Sequence, residues 1–323
     1  AMSGVTVRGD RLLTGTLTAA VARADAVVLV RHGEKIAGTF DDPRRRIAVN
    51  RGGHLERVAR ARLPHATLVT VDDNRSLPGL LRDRRVDAVV TDTLEAGTYP
   101  PGAFTIAARL ARDRKAYWVA PGRDALARDL DAWLLARERD GALSRWRASE
   151  LHDTSAPSTT PEVVRVVDLV ARRLLVMPAV AAAKRVAHLP LVDPAREATV
   201  VARAAECAAS AGLDAVAARR LAEAQIATAR AVQEATPVNA ATTMAGDPPT
   251  LATIRTAIDA LDGALVQALV VARDARRSDP HAALLRRPAL AAALRADADL
   301  PGFDEVHAGA IAATLAEVLD AAR

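Results

Sequence analysis

Beyond residue 160 the chain repeats apolar positions with a helical period. Ala- and Leu-rich amphipathic runs cover roughly 162–188, 194–211, 214–236 and 250–277, with shorter helical pieces to the end. Local punctuation supports these limits. Asp193-Pro194 reads as an N-cap followed by Pro at the first helical position, Gly212 as a C-terminal stop, and Asp214 as the next start. Pro178 is expected to bend or break the first helix, because an interior Pro costs about 3 kcal/mol. Before residue 150 the pattern is different. "DAVVLV", "RIAVN", "ATLVTV", "DAVVT" and "AYWVAP" read as strands, and "HLERVARARL", "SLPGLLRDR" and "ALARDLDAWLLARERDGALSRW" as helices. This predicts an α/β domain with a mostly parallel sheet over 1–151, a Pro/Ser/Thr-rich linker over 152–161, and an all-α domain over 162–323.

One apolar stripe carries two cations. Around Arg173 the same-face positions are Val166, Leu169, Val170, Val176, Met177, Val180 and Lys184. In an unbroken helix Arg173 and Lys184 would stand about 16 Å apart along the axis, at 1.5 Å per residue. Burying a charge without a partner is costly. A structural ion pair would explain either cation singly, but this helix places no carboxylate on the stripe. Two long side chains leaning inward would instead bracket a small molecule bearing two carboxylates. Arg172, with Arg165 and Asp168 on its own face, is expected to point to water. Asp193, Arg196 and Glu197 open the second long helix. Capping alone would account for Asp193, and a solvated face for the other two. Gln233 follows Ala222, Ile226 and Ala229 on a mainly apolar face, where a satisfied core amide is the plain alternative.

The chain has 323 residues, enough for two cores. No run of eighteen or more uncharged apolar residues suggests a membrane span. The opening "AMSGVTVRGDRLL" reads neither as a signal peptide nor as the start of a domain. A single cysteine, Cys207, gives no intrachain disulfide and no metal site. The net charge of +5 comes from the first part, with 26 basic against 20 acidic residues before position 155 and 18 against 19 after it. Arginines alternate with acids, and no dense basic run with interleaved aromatics appears, which argues against a nucleic-acid partner. Lysine occurs only at Lys35, Lys115 and Lys184, so the one lysine of the second half sits on the apolar stripe.

The pattern Arg-x10-Lys-x8-Asp-x2-Arg-Glu, with a Gln on a later helix, resembles the all-helical chorismate mutases. "VAAAKRVAHLPLVDPAREATVV", "AEAQIATARAVQEA" and "TIRTAIDAL" look like their exported subclass, over about 160 residues from Glu162. The resemblance implies chorismate as substrate, with no cofactor and no metal. It implies that Arg173, Arg196 and Arg255 hold the substrate carboxylates. Lys184 and Gln233 would donate to the ether oxygen, Glu197 would accept from the ring hydroxyl, and Asp193 would cap or support. Arg255 only flanks its own stripe of Leu251, Ile254, Ile258, Leu261 and Leu265, and Ala229 stands where the family often has Ser or Thr. Relatives often form homodimers.

The first part, from "RIAVNRGGHLERVARARL" through "TDTLEA" to "RKAYWVAP", resembles periplasmic solute-binding proteins and their enzymatic relatives, the cyclohexadienyl (prephenate/arogenate) dehydratases. That resemblance implies a second site. Glu95 would be its acid, Asn50 would lie in the turn into a carboxylate-binding helix N-terminus, and Arg11 and Lys115 would bind or support. The family's first strand–helix units have no counterpart here, and His54 replaces a Thr. An incomplete first lobe with little dehydratase activity is therefore expected, together with a periplasmic or secreted setting. The competing class is a non-catalytic module that senses an amino or keto acid, with the helical half serving association.

Overall fold

The computed structural model describes residues 2–35, 38–151, 159–238, 249–278 and 287–320. The chain runs β1 (Met2–Thr6), α1 (Gly9–Leu12), β2 (Thr16–Leu17), β3 (Ala22–Arg23), β4 (Ala26–Arg31), β5 (Arg46–Asn50), α2 (His54–Arg62), β6 (Thr67–Val71), α3 (Leu77–Arg82), β7 (Ala88–Asp92), α4 (Thr93–Gly97), β8 (Phe104–Ala111) and β9 (Arg114–Val119). The helices α5 (Asp124–Arg139), α6 (Ala142–Glu150), α7 (Pro161–Leu175), α8 (Met177–Val186), α9 (Pro194–Ser210), α10 (Ala215–Ala235), α11 (Leu251–Ser278), α12 (Arg287–Asp297) and α13 (Glu305–Asp320) follow. The five strands read from the sequence are all present.

Two compact units form, and they do not follow a cut at residue 151. One comprises Ala1–Ala20, Ala116–Leu143 and Ser155–Arg323; the other comprises Val21–Lys115 and Ser144–Thr154. From Pro161 onward the described elements are all helices, as expected, but the compact unit they form also takes in β1, β2 and the end of β9. The physical reason is burial. Val7, Leu12, Leu17 and Ala116 share one apolar core with α7, α8, α10, α11, α12 and α13. Gly9 shows how close the approach is: a Cβ there would overlap the Leu175 carbonyl at the end of α7. Most of the expected linker, 152–158, lies outside the described residues, and position 161 already begins α7.

The other unit is built on a five-stranded sheet in the order β6-β5-β7-β4-β8. β5 pairs in parallel with β6 and β7, whereas β4 is antiparallel to both β7 and β8. The sheet is thus mixed rather than mostly parallel. Within this sheet the strand that sequence reading missed is β8, "FTIAARLA", whose Ala- and Arg-rich text lacks a strand signature and whose place depends on pairing with β4. Both faces are covered. Val28, Val30, Ile47 and Val49 pack beneath α2, and Val27, Leu29 and Ala48 pack with α3, as the twofold alternation of a central strand requires.

Candidate active site

The stripe that carries Arg173 and Lys184 is two helices. α7 stops at Leu175, Val176 caps it, and α8 restarts with Pro178 in its first turn. Proline has no N–H to give to the preceding turn, so the ladder breaks where the ring begins. The eleven-residue spacing is therefore not a continuous helical rise. α8 then brings Lys184 to its last turn, where a cation suits the carbonyl end of a helix. The turn after α8 takes His188 through a left-handed conformation, φ 53°, while the Leu189 N–H donates to the Lys184 carbonyl at 2.8 Å. It ends at Asp193, which caps α9 by accepting from the Arg196 N–H at 3.0 Å.

This turn gathers charge. The Lys184 Nζ donates to the Leu191 carbonyl at 2.5 Å. Partial burial pushes its ammonium below the ordinary lysine value; the nearby carboxylates of Asp193 and Glu197 oppose that shift, and the Arg255 charge adds to it. Asp193, Glu197 and Arg255 thus lie within electrostatic reach of Lys184. Glu197 is also bound by a residue that sequence reading overlooked. Arg230 on α10 donates to it through Nε at 2.9 Å and through Nη2, and this pairing holds the Glu197 carboxyl below the usual carboxylate range. The signal that could have found Arg230 was its position, three residues before Gln233 on the same helix.

Arg173 and Gln233 are the deeply buried members, 8% and 7% exposed. Arg173 Nε donates to Asp262 on α11 at 2.9 Å, so the stripe does have a carboxylate, brought by a helix 89 residues away. The Arg173 Nη1 is buried without a hydrogen-bond partner among the described residues. Gln233 Nε2 lies 3.7 Å from the Met177 sulfur, a weak acceptor, and its Oε1 is likewise buried and unpartnered. Arg196 is not drawn in. Its backbone serves the cap and its side chain is exposed, as is that of Arg255.

The expectation that Arg172 faces water is overturned. It is 1% exposed and is the largest fully buried side chain of the described residues. Its Nε meets Asp168 at 3.0 Å, Nη1 the Leu17 carbonyl at 2.6 Å and Nη2 the Thr18 carbonyl at 2.5 Å. Arg165 joins the same carboxylate at 2.7 Å and also pairs with Asp131 of α5. The polar face of α7 is covered by residues 16–18 and by α5, and its charges satisfy one another.

A cavity of about 270 Å³ opens between α9 and α10, lined by Glu197, Val201, Ile226 and Arg230 among others. It touches the Glu197–Arg230 pair, but its lining does not include Arg173, Lys184 or Gln233.

The α/β unit holds most of the second predicted cluster. Glu95, in α4, accepts from Asn74 Nδ2 and Thr91 Oγ1, both at 2.7 Å. Asp92 caps α4 and takes Lys115 Nζ at 3.1 Å. Asn50 ends β5 just before the turn at Gly52, φ 72°. The Gly52 N–H, at the entrance to α2, donates to Glu56 at 2.5 Å, so α2's own first-turn carboxylate uses one of the amides expected to bind a ligand. His54 contacts Asp113 at 2.8 Å. Arg11 is not in this unit; it belongs to the helical one, where it donates to the Thr6 carbonyl at 2.8 Å.

Residues 164–234 match the family model of chorismate mutase type II, a span that contains Arg173, Lys184, Asp193, Arg196, Glu197 and Gln233 but not Arg255. No curated protein matches the chain by sequence. Among solved structures, the chain is similar to an ancestral cationic amino-acid solute-binding protein, 22% identical, over 46% of this chain and 67% of that one, with a TM-score of 0.41. It is also similar to an ABC-transporter binding component from Wolinella succinogenes complexed with lysine, 18% identical over 47% and 69%, TM-score 0.43. A third is an amino-acid ABC-transporter substrate-binding protein from Streptococcus pneumoniae bound to L-arginine, 17% identical over 48% and 68%, TM-score 0.42.

Proposed function

We propose that the helical unit is a chorismate mutase, converting chorismate to prephenate by a [3,3]-sigmatropic rearrangement. One observation carries the reading: within the span that matches the mutase family, buried hydrogen-bonding groups of Arg173 and Gln233 have no protein partner among the described residues. An unsatisfied buried polar group costs about 1–3 kcal/mol, more when charged, so a ligand that satisfies it recovers that cost.

The chemistry suits such groups. The rearrangement needs no nucleophile, no metal and no proton transfer. It needs the compact conformer of a dianion to be selected and the negative charge growing on the ether oxygen to be stabilised. Cations held in place do both, through orientation and preorganised electrostatics. Arg173 would take a substrate carboxylate through its Nη1 edge. Lys184, which faces a backbone carbonyl rather than a carboxylate, would exchange that contact for the ether oxygen. Rotating the Gln233 amide about its terminal bond exchanges its two atoms and turns Nε2 to where Oε1 now lacks a partner. Arg255 and Arg196 would close on the carboxylates from the rim, and Glu197, already held by Arg230, would accept from the ring hydroxyl. We further propose a periplasmic or secreted setting and a homodimer.

The loss of chorismate absorbance in the presence of the purified chain tests this directly. Conversion is expected, and an Arg173→Ala variant should be at least about 100-fold slower, the scale set by removing one transition-state donor. A chain that leaves chorismate untouched would refute the reading. Phenylpyruvate detection in the same assay addresses the α/β unit. Both Glu95 oxygens already accept hydrogen bonds from within the protein, one from Asn74 and one from Thr91. No phenylpyruvate is expected.

A further inference from the structure

Arg173 has edges of two kinds. Its Nε is engaged by Asp262 at 2.9 Å, while its Nη1 is buried with no acceptor among the described residues. A structural arginine of the same helix does not look like this. Arg172 gives Nε and Nη2 to Asp168 and its outer nitrogens to two carbonyls. The partners of Arg173 differ in burial too: the arginine side chain is 9% exposed and the Asp262 side chain 38%. Water therefore reaches the carboxylate on one side while the hydrogen bond it accepts lies on the buried side.

We infer that Asp262 is a positioning residue for Arg173. By accepting from Nε it fixes the rotation of a planar, fork-shaped cation and leaves the Nη1 edge for the ligand. Its charge has a second consequence. Chorismate and prephenate are both dianions, so extra positive charge at the site would tighten both without favouring the transition state. A carboxylate beside Arg173 offsets that uniform attraction while leaving the directed bond intact. The inference rests on the mutase reading and adds a residue that neither α7 nor the residues matching the family contain, since Asp262 lies beyond 164–234.

Steady-state kinetics of the full chain carrying Asp262→Asn and Asp262→Ala separate the two roles. Asparagine keeps an oxygen acceptor and removes the charge, so kcat should stay within about 2-fold while KM for chorismate falls about 3-fold and prephenate inhibits more strongly. Alanine removes the acceptor as well, and kcat should fall about 10-fold or more, with unchanged helicity by circular dichroism. Wild-type values in both variants, or an Asn variant whose kcat is as low as that of Ala, would overturn the assignment while leaving the mutase reading in place. An unmodified chain without mutase activity would instead remove that reading, and the role of Asp262 with it.

Discussion

Two neighbouring arginines on α7 meet two different fates. Arg172 is the more deeply buried, and each of its nitrogens has a partner: one carboxylate and two carbonyls from residues 17 and 18. Arg173, about 100° further round the helix, takes one carboxylate on one edge and leaves a buried nitrogen unsatisfied among the described residues. Burial alone does not separate a structural cation from a ligand-binding one. The distinction lies in completeness of satisfaction, because a fully partnered charge has nothing to offer a ligand and a half-partnered one does.

The sharpest way to break this comparison is to remove each arginine and ask which property fails. Arg172→Met should cost about 3 kcal/mol of stability, the low end for breaking a buried pair, since Arg165 continues to serve Asp168. Urea denaturation measures it, and turnover per folded molecule should be unchanged. Lys184→Ala should do the reverse. The expected loss is about 3 kcal/mol of barrier, a rate drop of order 100-fold, with the urea midpoint close to that of the parent. Loss of activity per folded molecule in Arg172→Met, or full activity in Lys184→Ala, would erase the contrast.

Acidity sharpens it further. Burial pushes the Lys184 ammonium below the ordinary lysine value. Activity that needs its charge should be flat between pH 6 and 8, because the Gln233 amide does not titrate there. It should decline in the alkaline range at a midpoint below that of a free lysine. The stability contribution runs the other way. The folded chain holds this proton less tightly than the unfolded chain does, so between the two pKa values stability from this group rises with pH. A pH–rate profile set beside pH-dependent unfolding should therefore show activity falling without matching destabilisation from Lys184.

The smallest effect is expected at the rim. Arg230 is 42% exposed at its side chain, so Arg230→Ala should leave stability nearly unchanged. Removing its hydrogen bonds should let the Glu197 carboxyl rise toward the ordinary range. Titration of Glu197 by NMR in the two proteins would measure that rise.

The split between legible and hidden features follows the range of the interactions involved. Helix ends were legible because their causes are adjacent in sequence. Pro178 lacks a donor, Asp193 and Asp214 cap within three residues, and Gly212 takes the positive φ of 73°. The strands of the five-stranded sheet were legible from their apolar runs, except β8, whose Ala- and Arg-rich text lacks a strand signature and whose partner is β4; the short β1, β2 and β3 were not legible either. That Arg173 lies on a buried face was legible from periodicity, whereas the burial of Arg172 was not. Asp262, Arg230 and the role of Met177 were not, since each meets its partner across a gap of 33 to 89 residues.

By itself, then, the sequence determined where the long helices and the most apolar strands lie and that Arg173 stands on an apolar face, because three- to four-residue periodicity and capping act over a single turn. Only the tertiary structure decided which of those charges are already answered. It placed residues 17 and 18 against Arg172, some 155 positions along the chain, and Asp262 against only one edge of Arg173. It also drew Val7, Leu12 and Leu17 into the helical core. The physical reason is that satisfaction is a property of pairs, and the second member of each pair arrives only when distant segments pack.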